Sequence, residues 1–459
     1  MADITLVNLR VKYLENSKKI AYTPVGVLYI ISSLEKAGFS VDFKDYQFNS
    51  YKNQYDPQNL VKFLKNSADI VGLSFSVEFL PFALIGIKKL KEKFPEKTII
   101  VGGPAINGIE EEVMRNFPQI GVIVRGEGEK TIVELMNAIK QKNSLRKVKG
   151  ITYGSNGRVI SNFTRERTIN LDEFPSPINN SIDLSNYNTF HISSSRGCIF
   201  KCVFCGINPQ CNNKVTFRSI ERVVNEINFV VSEYKPQLIR MVDDNFALNK
   251  KRVIALCREI RKQKIDANFG CSASVNCMDK RLMEELSGSD FKRIYYGIES
   301  ASNNVLKRIN KPFTIELAEK VIDKSMKYFD DTLVSFVWGF PFESIADFRK
   351  TMFLRTLYNG LYGKRIRTQL HLCSPLANSA LYHKYRHSIK FDEGIVSDIS
   401  NQVIFNLSAS TKKEIISLIK KFPLIFPSFY YYPHKGFAEK MYLLKRVARN
   451  YFEQKKIRS

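Results

Sequence analysis

The sequence predicts an α/β chain in three parts. A doubly wound, Rossmann-like sheet comes first, a partial or complete TIM-like β/α barrel follows, and a mainly helical region ends the chain. Three observations predict this. Apolar strand patterns alternate with helical patterns along most of the chain. The strands are nearly continuous apolar runs, as in DIVGLSFS (69–76), which is how strands read when helices cover both faces of a parallel sheet. A Pro-rich stretch, LDEFPSPINN (171–180), interrupts the alternation, which then resumes. At 459 residues the chain exceeds one ordinary core, so two or three domains are expected.

In the first half, ITLVNL (4–9) reads as a strand, and PVGVLYIISSLEKAG (24–38) as a helix that starts at Pro and stops at Gly. VDFKDY (41–46) is the next strand, NLVKFLKN (59–66) a helix, and DIVGLSFS the third strand. LIGIKKLKEKFP (84–95) is helical, TIIVGGP (98–104) is a strand ending in Gly-Gly-Pro, and GVIVRGEGEK (121–130) leads into the helix TIVELMNAIK (131–140). Right-handed crossovers make such a sheet doubly wound, and its ligands bind at the C-terminal ends of the strands. Those ends carry Ser74, Ser76, Gly102, Gly103, Gly126 and Glu127. Glycines there let a bulky ligand approach the backbone. Residues 1–140 are therefore assigned to this domain, and 141–188 to a linker holding the hairpin GITYGSNGRVIS (150–161).

The second series runs over 189–390. Its expected strands are TFHISSS (189–195), LIRMVDD (238–244), ANFGCSA (267–273), RIYYGIE (293–299), TLVSFVW (332–338) and RTQLHL (367–372). Helical patterns such as SIERVVNEINFVVSEY (219–234) and KRVIALCREIRKQK (251–264) separate them. Chemistry in β/α barrels sits at the strand C-terminal ends. Residues 391–459 are irregular and helical, with an aromatic run SFYYYPHKGF (428–437) that suggests a wall facing substrate.

The net charge is +25, which either reflects lysines scattered along the chain or attracts an anionic partner. Basic runs include 141–150 and the C-terminal LLKRVARNYFEQKKIRS, which reads as an amphipathic helix able to grip an acidic leader peptide. No nucleic-acid motif of the usual kinds is present, which argues against a nucleic-acid partner. No apolar run of about 18 residues occurs, so no membrane span is expected. The N-terminus lacks the pattern of a signal peptide, and a cytoplasmic location is expected. In that compartment eight cysteines point to metal or catalysis before disulfides.

Directly after the first strand of the second series, SSSRGCIFKCVFCGINPQC (193–211) places Cys198, Cys202 and Cys205 at C-x3-C-x2-C, with Cys211 behind. A structural zinc site wants four protein ligands, so it would need Cys211 or a histidine as well. A [4Fe–4S] cluster normally takes four thiolates, and with three one iron is left open for another ligand. Spacing, loop position and barrel context favour the cluster.

The segment C198-IFK-C202-VF-C205 is similar to the signature of the radical S-adenosylmethionine (SAM) superfamily, including Phe204 before the third cysteine and Gly206 after it. MVDDNFALN (241–249), YYGIESASNNVLKRINK (295–311) and VWGFPFES (337–344) resemble further strand segments of that superfamily. The N-terminal segments TPVGVLYIISSLEKAGFSV, DIVGLSFS, IIVGGP and VRGEGEKTIVEL resemble the cobalamin-binding domain that precedes the barrel in one branch. Together the resemblances cover roughly 1–385. They imply a [4Fe–4S] cluster on the three cysteines, SAM on its open iron, a 5′-deoxyadenosyl radical, and cobalamin on the first domain. They imply Asp243, Asp244 and Glu299, with Phe204 and Gly206, as SAM-site residues. Ser74, Gly102, Gly103, Gly126 and Glu127 become cobalamin-site residues. The D-x-H-x-x-G motif of classical cobalamin mutases is absent, and residues 1–40 hold no histidine. The segment CSPLANSALY (373–382) departs from the common P-x-P-G-T-P-L-Y at Asn378-Ser379 and is expected to face substrate.

The implied activity is methylation of an unactivated carbon in a natural product or peptide, with an electron donor such as flavodoxin or ferredoxin. The alternative is ring formation or oxidation without methyl transfer. A tRNA methylthiotransferase would need three further N-terminal cysteines, whereas the first cysteine here is Cys198. A non-enzymatic binding module would leave the open cysteine spacing unexplained. Cys373 and His371 are candidate catalytic residues in the sixth strand. Cys271 and Cys277 read as small apolar filler, Cys257 and Trp338 as core, and His191 as structural.

Overall fold

The structure is a computed structural model that describes residues 2–15, 18–395 and 407–446. The first domain is a sheet of seven strands: β1 (Ile4–Leu9), β2 (Val41–Asp45), β3 (Ile70–Phe75), β4 (Thr98–Gly102), β5 (Val122–Val124), β6 (Ile151–Ser155) and β7 (Arg158–Ser161). Their order is β2-β1-β3-β4-β5-β6-β7. The first five run parallel and the last two antiparallel. Alternate residues face opposite layers, as the two-residue period of a strand requires. Ile4, Leu6, Ile100 and Val122 meet α1 (Val25–Lys36) and one more helix of that face, Gly128–Lys140, while Val7, Leu9, Leu73 and Val101 meet α2 (Pro57–Leu64) and α3 (Leu80–Lys93).

One boundary differs from expectation. The hairpin placed in a linker over 141–188 extends the first sheet, with Val122, Ile123 and Val124 pairing Tyr153, Thr152 and Ile151. Its turn uses Asn156 at φ 48° and Gly157 at φ 72°, the left-handed pair that suits a two-residue hairpin. Pairing there satisfies the edge of β5, which an independent linker would leave bare.

The second domain has six parallel strands in sequential order: β8 (Thr189–Ile192), β9 (Leu238–Met241), β10 (Phe269–Ala273), β11 (Phe291–Glu299), β12 (Asp331–Trp338) and β13 (Ile366–Leu372). The barrel is partial, because β8 and β13 pair with β9 and β12 and not with each other. The intervening helices begin on side-chain caps that accept from their first N–H groups: Ser219, Asn249, Asp279 and Ser344, the last also donating its own N–H to the Asp347 carboxylate. The free edge of β8 is covered by the first domain. Tyr22 bridges to Thr189, the Thr23 N–H donates to the Thr189 carbonyl at 3.1 Å, and the His191 N–H donates to Thr23 Oγ1 at 2.8 Å.

The C-terminal region packs back onto both domains. Ile415 and Ile419 of helix Ala409–Lys421 join the core around α2 and α3, and Phe422 lies against Phe117 with ring centroids 5.6 Å apart. The aromatic run expected as a wall is core instead: Phe429, Tyr430 and Tyr432 are all buried. A buried ion pair fixes the last described segment. Lys440 Nζ, fully enclosed, donates to Glu343 Oε2 at 2.8 Å and to the Glu343 carbonyl at 2.7 Å. Its Nζ also lies 2.8 Å from His434 Nε2, and burial followed by the Lys440 charge pushes the His434 pKa down to about 4. Lys440→Ala is expected to cost about 3–5 kcal/mol in urea unfolding, because it strands the Glu343 charge. The double change Glu343→Leu/Lys440→Met is expected to recover most of that loss.

Candidate active site

The cysteine loop leaves β8 and returns where Ser195–Arg196 pairs antiparallel with Thr216–Phe217. Gly197 starts it at φ 100°, and a Cβ there would collide with the Lys214 carbonyl oxygen. Cys211 is folded against Cys198: the Cys198 N–H points to Cys211 Sγ at 3.5 Å, and Cys211 Sγ donates to the Cys198 carbonyl at 3.3 Å. The middle of the loop is pinned from two sides, by Val203 N–H on the Ile309 carbonyl at 3.2 Å and Leu381 N–H on the Val203 carbonyl at 2.7 Å. Phe204 packs edge-on to Phe340 at 5.7 Å, and Asn378 Nδ2 donates to the Gly206 carbonyl at 2.8 Å. Asn378, expected to face substrate, thus braces the loop, and Ser379 is a buried helix cap.

All three cluster thiols are partly exposed. Burial, then mutual repulsion with Cys202 and Cys205, pushes the Cys198 pKa up to about 11, and burial raises Cys202 and Cys205 as well. Such thiols keep their protons until an iron centre takes them as thiolates. Among the described residues no three Cys, His, Asp or Glu side chains converge as a single ion would require. A cubane needs no such convergence, since each thiolate binds a different iron. The donor set fits a [4Fe–4S] cluster with one iron open.

Glu299 ends β11 at φ 71°, buried, with its Oε1 2.8 Å from Lys311 Nζ. Lys311 is a site residue that the sequence reading missed. Its Nζ also donates to the Gly297 carbonyl at 2.8 Å and lies 5.7 Å from the Phe204 ring centroid. Burial works against its charge, but Glu299 and then Cys202 outweigh it and raise its pKa. It is a cation held beside the thiols.

The two aspartates part company. Asp243 is buried and accepts from Ser194 N–H at 3.1 Å, from Ser194 Oγ at 2.8 Å and from Ser195 Oγ, so its carboxylate ties β8 to β9. Asp244 accepts from Gly197 N–H at 2.7 Å and opens onto a cavity. Protein packed around it raises its pKa, against the opposing Gly197 N–H and Arg167.

That cavity, about 900 Å³, lies between the two domains. Ser74, Gly102, Gly103, Gly126 and Glu127 line it from the first sheet, and Arg196, Gly197, Asp244 and Asn378 from the barrel. Gly103, at φ 93°, would place a Cβ 2.8 Å from Ser74 Oγ. Gly102 would meet nothing closer than 3.7 Å, and Gly126 nothing within 4 Å. A space of this size, with glycines that add no side chain on one side, fits a corrin. Glu127 is engaged at the rim, accepting from Thr168 N–H at 2.9 Å and lying 3.5 Å from Arg167 Nε. Phe204 and Gly206, within the cysteine loop, and Glu299, at the end of β11, do not line the cavity. Cys373 is buried, with its thiol raised by burial and then by Glu343 and Glu299; His371 Nε2 lies 3.2 Å from Gln369 Oε1. Neither lines the cavity. His191 is half-buried, stacked on Tyr22 at 4.9 Å. Trp338 stacks on Phe437 at 5.3 Å.

Gly197→Ala is expected to displace the loop and lower the iron retained after anaerobic reconstitution. Gly154→Ala, whose Cβ would meet only Met114 Sδ at 3.9 Å, serves as the control and should retain iron normally.

A doubly wound domain with a glycine-floored cavity, set against a partial barrel with a three-cysteine loop, defines a cobalamin-binding radical enzyme. Residues 192–354 match the radical SAM superfamily and residues 18–136 the B12 binding domain, and the chain belongs to the radical SAM superfamily with a B12 binding domain ahead of the barrel. Its cofactors are a [4Fe–4S] cluster, SAM and cobalamin. Among curated relatives, an uncharacterized methyltransferase of Pyrococcus horikoshii is 29% identical over 341 residues, covering 72% of each chain. The anaerobic magnesium-protoporphyrin IX monomethyl ester cyclase of Rubrivivax gelatinosus is 24% identical over 321 residues, covering 66% of this chain and 56% of that one. Among solved structures, the radical S-adenosylmethionine methyltransferase TsrM from Kitasatospora setae, with cobalamin and a [4Fe–4S] cluster bound, shares the fold. Its TM-score is 0.72 at 15% identity, over 95% of this chain and 85% of that one. No described helix is long and apolar enough to cross a membrane.

Proposed function

We propose that this chain is a cobalamin-dependent radical SAM methyltransferase that methylates an unactivated carbon of a small molecule or peptide. One observation carries the reading: Gly197, Ile207 and Cys211, which flank the three cluster cysteines, line the same glycine-floored cavity as the first sheet, and this supports a corrin and a radical source acting on one substrate. The methyltransferase name of the Pyrococcus relative supports it. When bound, the cluster and SAM supply the hydrogen-abstracting radical, and methylcobalamin supplies the methyl group. Cys198, Cys202 and Cys205 hold the cluster. Asp244 and Glu299 offer carboxylates toward the SAM ammonium and ribose, with Lys311 fixing Glu299. Asp243 acts behind them by holding the β8 turn. Gly102, Gly103 and Gly126 leave the corrin side free of side chains, and Ser74 and Glu127 border it. The protein's share is placement and exclusion of water. A one-electron donor of the flavodoxin or ferredoxin type completes the system.

The cyclase relative favours a second reading, ring formation or oxidation on the same scaffold. The two separate by products. With SAM labelled in its methyl group, methylation yields 5′-deoxyadenosine, S-adenosylhomocysteine and a labelled product. 5′-Deoxyadenosine without S-adenosylhomocysteine would favour cyclisation or oxidation, and absence of both would overturn the radical reading.

A further inference from the structure

A second groove, which shares no lining residue with the cavity between the domains, lies against the cysteine loop. Ile199, the residue after Cys198, is 48% exposed, and Phe217, where the loop returns, is 36% exposed. With Val215 and Leu248 they line a shallow groove of about 430 Å³, bordered by Lys250 and Lys251. Single exposed apolar side chains are ordinary, but several around one groove mark a contact surface. The two segments that form it carry only basic charged residues, offset at the rim by Asp279, which pairs with Lys250. Residues 198–217 and 245–258 contain no Asp or Glu, and Lys201, Lys214 and Lys251 are exposed. The Arg252 guanidinium lies over the Phe217 ring at 5.3 Å, and Lys250 pairs with Asp279 at 2.7 Å.

We propose that this groove is the docking face for a small acidic one-electron carrier protein that reduces the cluster. The inference rests on the radical SAM reading above. An apolar centre bordered by Lys250 and Lys251, with the exposed Lys201 and Lys214 on the same loop, is complementary to a carrier whose cofactor edge is ringed by carboxylates. Complementary fields of this kind raise encounter rates more than they raise affinity. A shallow face suffices, because redox encounters bury less area than stable complexes. The position also suits the transfer. Ile199 lies one peptide unit, about 3.8 Å between Cα atoms, from a cluster ligand, so a docked carrier sits close to the iron. One electron leaves the carrier and enters the cluster, and no atom or proton crosses the interface. A single-stranded nucleic acid would also meet the lysines and could stack on Phe217, but the Phe217 ring already carries the Arg252 guanidinium and the rest of the lining, Ile199, Val215 and Leu248, is aliphatic, which favours a protein.

The test uses the reconstituted holoenzyme and the double variant Lys214→Glu/Lys251→Glu, with Phe217→Ser as an independent variant that changes no charge. Binding of a purified flavodoxin is followed by titration at low and moderate salt, and 5′-deoxyadenosine formation is followed with reduced flavodoxin or with dithionite. The expected result is a flavodoxin Kd raised about tenfold or more in the double variant, with loss of the salt dependence. Flavodoxin-driven SAM cleavage should fall in step, and dithionite-driven cleavage should stay at the parent rate. Phe217→Ser should weaken flavodoxin binding without changing its salt slope. Unchanged flavodoxin affinity in both variants overturns the proposal. So does an equal fall with dithionite, which would make these residues supports of the loop, or lost binding of a single-stranded RNA with flavodoxin binding intact. If the parent cleaves no SAM even with dithionite, the radical reading fails, and the binding titration still decides the docking face.

Discussion

Cys202→Ala is expected to abolish 5′-deoxyadenosine formation, with a fall of more than about 10³-fold and iron per chain well below the four of an intact cluster. Cys202 sits at the centre of the loop, near the carbonyl of Asn310 and under the field of Lys311. The scaffold around it does not depend on the thiol. Val203 is held by Ile309 and Leu381 through backbone bonds, and Lys201 by Asn310, so the loop keeps its path when Cys202 loses its sulfur. The loss should therefore be chemical, not a loss of fold, and the unfolding midpoint of the cluster-free chain should barely move. Cys211→Ala is the informative contrast. That thiol holds the Cys198 backbone without belonging to the C-x3-C-x2-C set, so it should weaken cluster retention and leave measurable SAM cleavage. Persistent cleavage in Cys202→Ala would overturn the cluster assignment.

Gly102→Leu is expected to abolish cobalamin retention while leaving about four irons per chain. The choice of glycine matters. Gly103 occupies left-handed backbone at φ 93° with Ser74 Oγ 2.8 Å from a notional Cβ, so a side chain there strains the turn itself. Gly102 has ordinary backbone, and a Cβ would meet only Val124 at 3.7 Å. A leucine at 102 therefore folds without strain and projects from a position that lines the cavity. Cobalt per chain after desalting and the corrin absorbance should both drop, with cluster absorbance unchanged. Retained cobalamin would show that the corrin binds elsewhere.

Much of this was legible in the sequence because strands buried on two faces announce themselves. Each of the six barrel strands lies within two residues of its expected start. The cysteine loop was legible because metal ligation fixes spacing. What escaped depends on partners distant in sequence. The hairpin at 151–161 was visible as a hairpin, but nothing local says which edge it joins. Asp243 and Asp244 are neighbours of the same type, and only the position of Ser194 and Ser195 decides which one is enclosed. Lys311 stands twelve residues beyond Glu299, past a short helix, and reads as one lysine among many until the fold returns it to the strand end. The aromatic run at 428–433 reads as a wall because its burying partners are distant in sequence: Phe429 and Tyr430 join the core around α2 and α3, and Tyr432 packs against Tyr385. The basic C-terminal stretch from 447 onward lies outside the described residues. Any truncation that tests it must begin beyond Lys440, whose charge the barrel encloses.

The bonds from residues 21–23 to β8 make the two halves inseparable parts of one gauge. Spacing between the methyl donor and the radical source is set by hydrogen bonds of fixed length, so it does not drift with the Pro-rich connection at 171–180. A chimera cut at that connection would carry a barrel whose first strand has lost its neighbour. Grafting this barrel onto a relative's corrin domain would require residues 21–23 to travel with it, and the exchange unit is therefore discontinuous in sequence.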